Sequence, residues 1–427
     1  LGEDFRIAHS HTLYRCLDQL LVHKPALFSC LRERWQSLFG IRFEVLLYDL
    51  TSTYFECDPP GSGKRKHGYR RDKRPDCVQV VIALIVTPEG FPLAYEVLAG
   101  NTSDKTTLAA FLAKIKAQYG EAERIWIMDR GIPTEDSLAL MRGATPPVHY
   151  LVGTPKGRLP QLEKAFLAQP WAGVRERVDV KLLSRDEAVY ILARSLGRQD
   201  KERAMRRRRL KRLCQRLKEL QRQQPSRDDL LLKLGAARKE AGRAYDLLTL
   251  RLPEAHEAVT PQTFTLTINR KKLRQARRRE GRYLLRSNLR DTDPAKLWQY
   301  YIQLTEIEQA FKELKHDLAL RPIFHQREDR IEAHIFVAFL AYCLQVTLKH
   351  RLRALGPGLT PRAALEKFAA LQMIDVHLPT TDGRTLILSR YTEPERDQQL
   401  LLQPLHLQLP EQPPPRITAD LMMSQAA

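Results

Sequence analysis

Apolar positions along the chain fall into blocks of different period. The first forty residues carry two helical stripes, Leu13, Leu17, Leu20 and Leu21, then Leu27, Leu31, Trp35 and Leu38 after Pro25, which suits a helix start. The period then changes. "VLLYD" is an apolar run ended by Asp49, "VQVVIALIV" is rich in β-branched residues, and a "TPEG" turn leads into "FPLAYEVLAG". These read as three strands. "TSDKTTLAAFLAKIKAQYG" reads as a helix with Ser103 or Asp104 as its N-cap and Gly120 as its stop. "RIWIMDRG" is a strand closed by Asp129, "PTEDSLALMRG" a short helix, and "HYLVGTP" a fifth strand. Three consecutive strands followed by alternating helices and strands predict an α/β fold, a mixed sheet flanked by helices.

Past residue 155 the pattern changes again. "VDVKLL" and "AVYILARS" flank a "SRDE" turn as a hairpin, and "FTLTI" and "YLLRS" are further strands. Between them Leu210, Leu213, Leu217 and Leu220 form a narrow seam that Leu231, Leu234, Ala237 and Ala241 can answer across "QQPSRDD". This predicts a helical hairpin on a mainly β insertion. A helix runs through "AKLWQYYIQLTEIEQAFKELKHDL", a core helix spans 331–352, a capped helix begins "TPRAALEKF", and "VHLPTTDGRTLILSRY" is a hairpin turning at Asp382-Gly383. The Pro-rich end is expected to be poorly ordered. The expected organisation is a helical segment over 1–40, the first part of a catalytic core over 41–155, the insertion over 156–292, core helices over 293–355, and a C-terminal helix, hairpin and tail over 356–427.

Charge sharpens the picture. The chain has 70 Lys+Arg against 50 Asp+Glu, a net +20. Residues 201–222 contribute +9 and residues 270–282 contribute +7, so two short segments hold most of the excess. Clustered charge of this kind favours a polyanion over a merely soluble cationic surface. The six scattered cysteines form no CxxC pair, which argues for a reducing compartment and against zinc or a disulfide framework. The stretch from Ala333 is short for a membrane span and holds His334 and Gln345, so a core helix is expected. "GSGKRKHGYRRDKRPD" is a polar loop that fails the phosphate-loop spacing, because Arg65 follows its lysine. No signal peptide is visible. The chain begins at Leu1, not Met, which leaves room for an upstream segment.

Asp49 and Asp129 hold equivalent places, each closing an apolar run. On neighbouring strands their carboxylates would stand close together, and two like charges that close need a cation. Oxygen-only ligands favour Mg²⁺ or Mn²⁺. Either Asp alone reads more simply as a turn starter; the repeat of the pattern changes the balance. On the later helix, Leu304, Ile307, Phe311 and Leu314 mark a buried face. Tyr301, Glu308, Lys312 and Lys315 share a bordering stripe, while Glu306 and Glu313 point elsewhere. Surface ion pairing is the competing explanation for that spacing.

With these strings on the page the chain resembles the DDE transposases of bacterial insertion sequences, in the insertion-sequence-four superfamily. The resemblance is carried by "YDLTSTYFE", "KRPDCVQVVIALIVTPEGFPLAYEVLAGNTSD", "IWIMDRG", "GRYLLRSNL" and "IEQAFKELK" through "VHLPTTDG". It implies a ribonuclease H-like core interrupted by the insertion. It also implies Asp49, Asp129 and Glu308 as the catalytic and metal-binding acids, and two Mg²⁺ ions bridged by Asp49. The gap of 179 positions from Asp129 to Glu308 agrees with an insertion before the catalytic helix. Of the signature Tyr-x2-Arg-x3-Glu-x6-Lys, Tyr301, Glu308 and Lys315 match, but Leu304 stands at the arginine position. Arg282 or Lys312 is the expected substitute. Tyr301, Lys312 and Lys315 would position phosphates. Arg206, Arg207, Arg208, Arg209, Lys211, Arg212, Lys271, Lys272 and Arg282 would track the DNA backbone. The implied activity is cleavage of transposon ends and joining of their 3′-hydroxyls to target DNA by a cytoplasmic homodimer. The competing readings are a metal-dependent nuclease of the same fold without strand transfer, and a DNA-binding protein with a decayed site.

Overall fold

The computed structural model describes residues 9–56, 63–68, 74, 76–120, 123–290, 293–356 and 358–418. Half of the polar loop over 61–76 and residues 419–427 lie outside them, while the Pro-rich stretch "LPEQPPPR" lies within them.

In chain order, α1 (Ser10–Val22) and α2 (Lys24–Phe39) precede β1 (Val45–Tyr54), β2 (Gln79–Val86) and β3 (Pro92–Ala99). Then come α3 (Asp104–Tyr119), β4 (Ile125–Met128), α4 (Glu135–Gly143) and β5 (His149–Thr154). The central region holds α5 (Leu159–Leu167), β6 (Ala172–Arg175), β7 (Val178–Arg185), β8 (Ala188–Ser195), α6 (Leu196–Gln223) and α7 (Arg227–Ala241). It continues through β9 (Leu248–Arg251), β10 (Thr265–Ile268), α8 (Arg270–Arg279) and β11 (Arg282–Ser287). Last are α9 (Pro294–Ile302), α10 (Leu304–Lys312), α11 (Glu328–Leu355), α12 (Pro361–Phe368), β12 (Met373–Pro379), β13 (Thr385–Tyr391), α13 (Arg396–Leu402) and β14 (Arg416–Thr418).

The chain folds into two compact units. One gathers Leu1–Ile41, Thr51–Asn101 and Glu308–Ala427; the other gathers Arg42–Leu50 and Thr102–Ile307. The second unit carries a large mixed sheet in the order β1-β4-β5-β11-β8-β7-β6. β1, β4 and β5 are parallel, as their αβ connections require. β11 runs antiparallel to β5, and β8, β7 and β6 follow as antiparallel neighbours. The strands expected in an insertion therefore hydrogen-bond directly onto β5 and widen its sheet.

α6 is capped by Ser195, whose side chain accepts from the Arg198 amide. It packs on α7 through Leu213, Leu217, Leu220, Leu230, Leu234, Ala237 and Ala241, with Leu210 alongside. Leu230 takes the place expected for Leu231, which is 39% exposed. Leu217 is fully buried. Leu217→Ala is expected to cost about 2–5 kcal/mol, through lost transfer energy and the cavity left behind. The checking measurement is urea unfolding followed by circular dichroism, where an unchanged midpoint would refute the packing.

In the first unit, β2 and β3 pair antiparallel, with Ile82 opposite Val97. Phe28 of α2, Tyr95 of β3 and Phe336 and Phe339 of α11 form an aromatic core, with centroids 4.9 Å apart for Phe28–Phe339 and 4.5 Å for Tyr95–Phe339. Phe28 and Trp35 are the buried positions of α2, whereas the expected Leu38 is 56% exposed. α11 is long and apolar enough to cross a membrane by composition. In this fold it packs ten buried residues inside its unit. β12 and β13 form the expected late hairpin, and Thr360 caps α12 by accepting from the Ala363 amide at 3.2 Å.

Candidate active site

The last register pair of β1 and β4 is Tyr48 opposite Met128. Asp49 and Asp129 come directly after this last pair in each chain segment, so both lie at the same end of the β1–β4 ladder. Asp129 does follow the end of its strand and is exposed. Asp49 does not: β1 continues to Tyr54, and Asp49 is a half-buried mid-strand residue. Thr51, Ser52 and Thr53 keep the chain extended and are themselves buried. The Leu50 amide donates to Asp49 Oδ1 at 2.8 Å, which fixes one carboxylate oxygen.

Asp129 meets an aromatic wall. The Tyr301 hydroxyl donates to Asp129 Oδ1 over a long 3.4 Å. Burial, and then the Asp129 charge, raise the Tyr301 pKa well above the usual range, so the hydroxyl stays protonated and can donate. Tyr301 stacks on Tyr283 with centroids 6.0 Å apart. Trp298 Nε1 donates to the Tyr283 hydroxyl at 2.7 Å, and the Arg198 guanidinium lies 5.0 Å from the Tyr283 ring centroid.

Gly153, in the interior of β5, makes room for this arrangement. A Cβ there would stand 3.0 Å from both the Tyr301 hydroxyl and the Arg130 amide. The Gly153 backbone lies outside the positive-φ region, so alanine can adopt it. Gly153→Ala is therefore expected to fold normally but displace Tyr301 and the Asp129-Arg130 turn, slowing any chemistry at Asp129 by about tenfold. DNA-cleavage rate beside thermal melting checks this, and an unchanged rate would refute it. Gly153, Tyr283, Trp298 and Arg198 were all missed from sequence. A glycine inside the strand pattern "HYLVGTP" was the one signal available.

Glu308 opens the last segment of the other compact unit and is exposed on α10. The expected single helix is interrupted at Gln303, between α9 and α10, and Thr305 Oγ1 donates to the Ile302 carbonyl at 2.9 Å there. Residues Glu313–Asp317 then form a π-helical turn, with the Leu318 amide donating to the Glu313 carbonyl at 3.0 Å. That turn shifts the phase on which Lys315 was placed. Ile307, Phe311 and Leu314 are buried as expected, while Leu304 is only half-buried. Glu313, expected to point away, is buried and accepts from Gln309 Nε2 at 3.0 Å. Lys312 is exposed and Lys315 half-buried.

The charge of Arg198 acts on the Tyr301 hydroxyl. Of the basic hairpin, Arg207, Arg208, Arg209, Lys211 and Arg212 are exposed, as are Lys271 and Lys272 on α8. Arg206 is committed inside, donating to Glu280 Oε1.

Among the described residues, no group of three or more His, Cys, Asp or Glu is gathered tightly enough to hold a metal. Asp49 and Asp129 remain as a pair of adjacent oxygen donors. That pair suits a hard divalent cation of the kind held by one or two carboxylates together with water and substrate phosphate.

Residues 46–344 match the family model of the transposase DDE domain. The chain belongs to the DDE transposase family. Members of this family cleave and join DNA and generally use divalent metal ions. No curated protein matches this transposase. Among solved structures, a similar chain is that of the piggyBac transposase synaptic complex with hairpin DNA, determined by cryo-EM, at 8% identity and a TM-score of 0.34. The match covers 85% of this transposase and 66% of that chain, so it spans just under two thirds of that protein.

Proposed function

We propose that this transposase cleaves the ends of a DNA element and joins their 3′-hydroxyls to target DNA, as a homodimer on paired ends in the bacterial cytoplasm. The observation that carries the proposal is that Asp49 and Asp129 each directly follow the last register pair of the parallel strands β1 and β4, inside the matched family domain. The signature spacing of Tyr301, Glu308 and Lys315 assigns the insertion-sequence-four group and makes Glu308 the third acid. β1, β4 and β5 are read as the ribonuclease H-like centre, with the region carrying α6 and α7 as its insertion.

Asp49 and Asp129 are the residues to hold two Mg²⁺ ions, for which Mn²⁺ can substitute. Bound there, the ions supply positive charge at the scissile phosphate and a more acidic attacking oxygen. The protein's own part is positional. The Leu50 amide aims Asp49, and the Tyr301 hydroxyl aims Asp129. Tyr301, Lys312 and Lys315 hold phosphates near the cut. The exposed cations of α6 and α8 bind backbone without reading sequence.

One assay tests this reading. Purified protein is mixed with donor DNA bearing the element's two ends, a supercoiled target and Mg²⁺. Covalent joining of an end to target is the expected result. Cleavage without joining would mark a nuclease, and binding with neither would mark a decayed site.

A further inference from the structure

The second unit also holds a group of cations gathered on one face of its sheet. Arg194 of β8 pairs in register with both Asp179 of β7 and Arg282 of β11, so the three side chains form one row across the sheet. Lys181, two residues along β7 from Asp179, emerges on the same face. All three cations surround one indole. Lys181 Nζ lies 4.9 Å, the Arg194 guanidinium 4.6 Å and the Arg282 guanidinium 5.9 Å from the Trp171 ring centroid.

The charge of this group is not balanced. Arg194 donates to Asp179 Oδ2 at 2.7 Å, and that is the single carboxylate bonded to the three cations among the described residues. Lys181 Nζ donates to the Phe166 carbonyl at 2.9 Å, a neutral partner. Arg282 makes no ion pair among the described residues. Glu163 nearby is already bonded by Arg279 at 3.1 Å. Like charges directly opposite on neighbouring strands destabilise a sheet. Burial, then Arg282 and Arg194, depress the Lys181 pKa; burial, then Arg194, depress that of Arg282. A folded protein that keeps such a group, with an aromatic ring at its centre, is arranged for an anion that arrives from outside.

We propose that Lys181, Arg194 and Arg282, with Trp171 between them, form a binding site for a backbone phosphodiester of DNA. The site rests on the DNA-acting reading above and adds to it. It lies on the strands β7, β8 and β11, whereas the hairpin cations lie on α6. Arg282 thereby serves the face of the sheet opposite to its neighbour Tyr283, which stacks on Tyr301.

Trp171 reports on the site directly. Its contribution to fluorescence is isolated as the difference between the intact protein and Trp171→Phe. A duplex oligonucleotide of element-end sequence is titrated, with inorganic phosphate as a second arm. The expected result is a saturable change in Trp171 emission with the duplex. Arg282→Gln should weaken it about tenfold and lower the salt dependence of binding by about one phosphate contact. Lys181→Gln should act in the same direction, and thermal melting of both variants checks folding. Arg208→Gln should weaken total binding while leaving the Trp171 change at saturation intact. Duplex binding without any Trp171 response would overturn this site while leaving the DNA reading in place. A response to inorganic phosphate but not to duplex would overturn it in favour of a free-anion site. Absence of duplex binding altogether would overturn the functional reading as well.

Discussion

Asp49→Asn abolishes cleavage of a DNA end and leaves the affinity for that end unchanged. The substitution keeps the side chain's size and its ability to accept from the Leu50 amide, and removes only the charge. A carboxylate that helps hold catalytic cations accounts for several kcal/mol of transition-state stabilisation, so the rate should fall by about 10³-fold or more. On the proposed reading binding rests on cations elsewhere and should not move. Single-turnover cleavage of a labelled end and a filter-binding titration measure the two quantities. Retention of full cleavage by Asp49→Asn would show that the chemistry lies elsewhere.

The second large effect concerns salt. Arg207, Arg208, Arg209 and Arg212 are exposed on α6, whose Leu213, Leu217 and Leu220 are buried against α7. Each phosphate contact contributes about 0.9 to the log–log slope of affinity against salt for duplex DNA. Replacing these four arginines by glutamine should flatten that slope by about 3 to 4 and weaken binding at low salt by orders of magnitude. Arg206→Gln should behave differently, because Arg206 is bonded to Glu280 inside the fold. It should reduce stability more than the salt slope. Equal slopes for the quadruple variant and the intact chain would remove α6 from the DNA-contacting surface.

Particular residues show where sequence reasoning reaches and where it stops. The strand ending at Asp129 was legible because "IWIM" is fully apolar and a turn follows at once. Asp49 was misread as a strand end because Thr51, Ser52 and Thr53 look like a polar exit, yet their extended backbone stays in the sheet and their side chains are buried. The apolar stripe of α6 fixed its partner, but the run Leu230-Leu231-Leu232 leaves the phase of α7 ambiguous by one residue. The break at Gln303 has no glycine or proline to announce it, and the π turn at Glu313–Asp317 displaces residues from an α-helical stripe without altering the sequence pattern. The positions of Asp49 and Asp129 beside each other's strands come from two local apolar patterns and were legible. The Tyr301–Tyr283–Arg198 wall and the cations around Trp171 come from strands and helices far apart in sequence, so no local period carries them.

The measurement closest to the central claim asks whether the Asp129 side chain touches the metal. A thiolate is a poor ligand for hard Mg²⁺ and a better one for the softer Mn²⁺. Asp129→Cys should therefore fail to cleave a DNA end in Mg²⁺ and recover cleavage in Mn²⁺, with DNA affinity equal in both. The same rate in both ions, whether full or lost, would contradict a catalytic site built on Asp49 and Asp129.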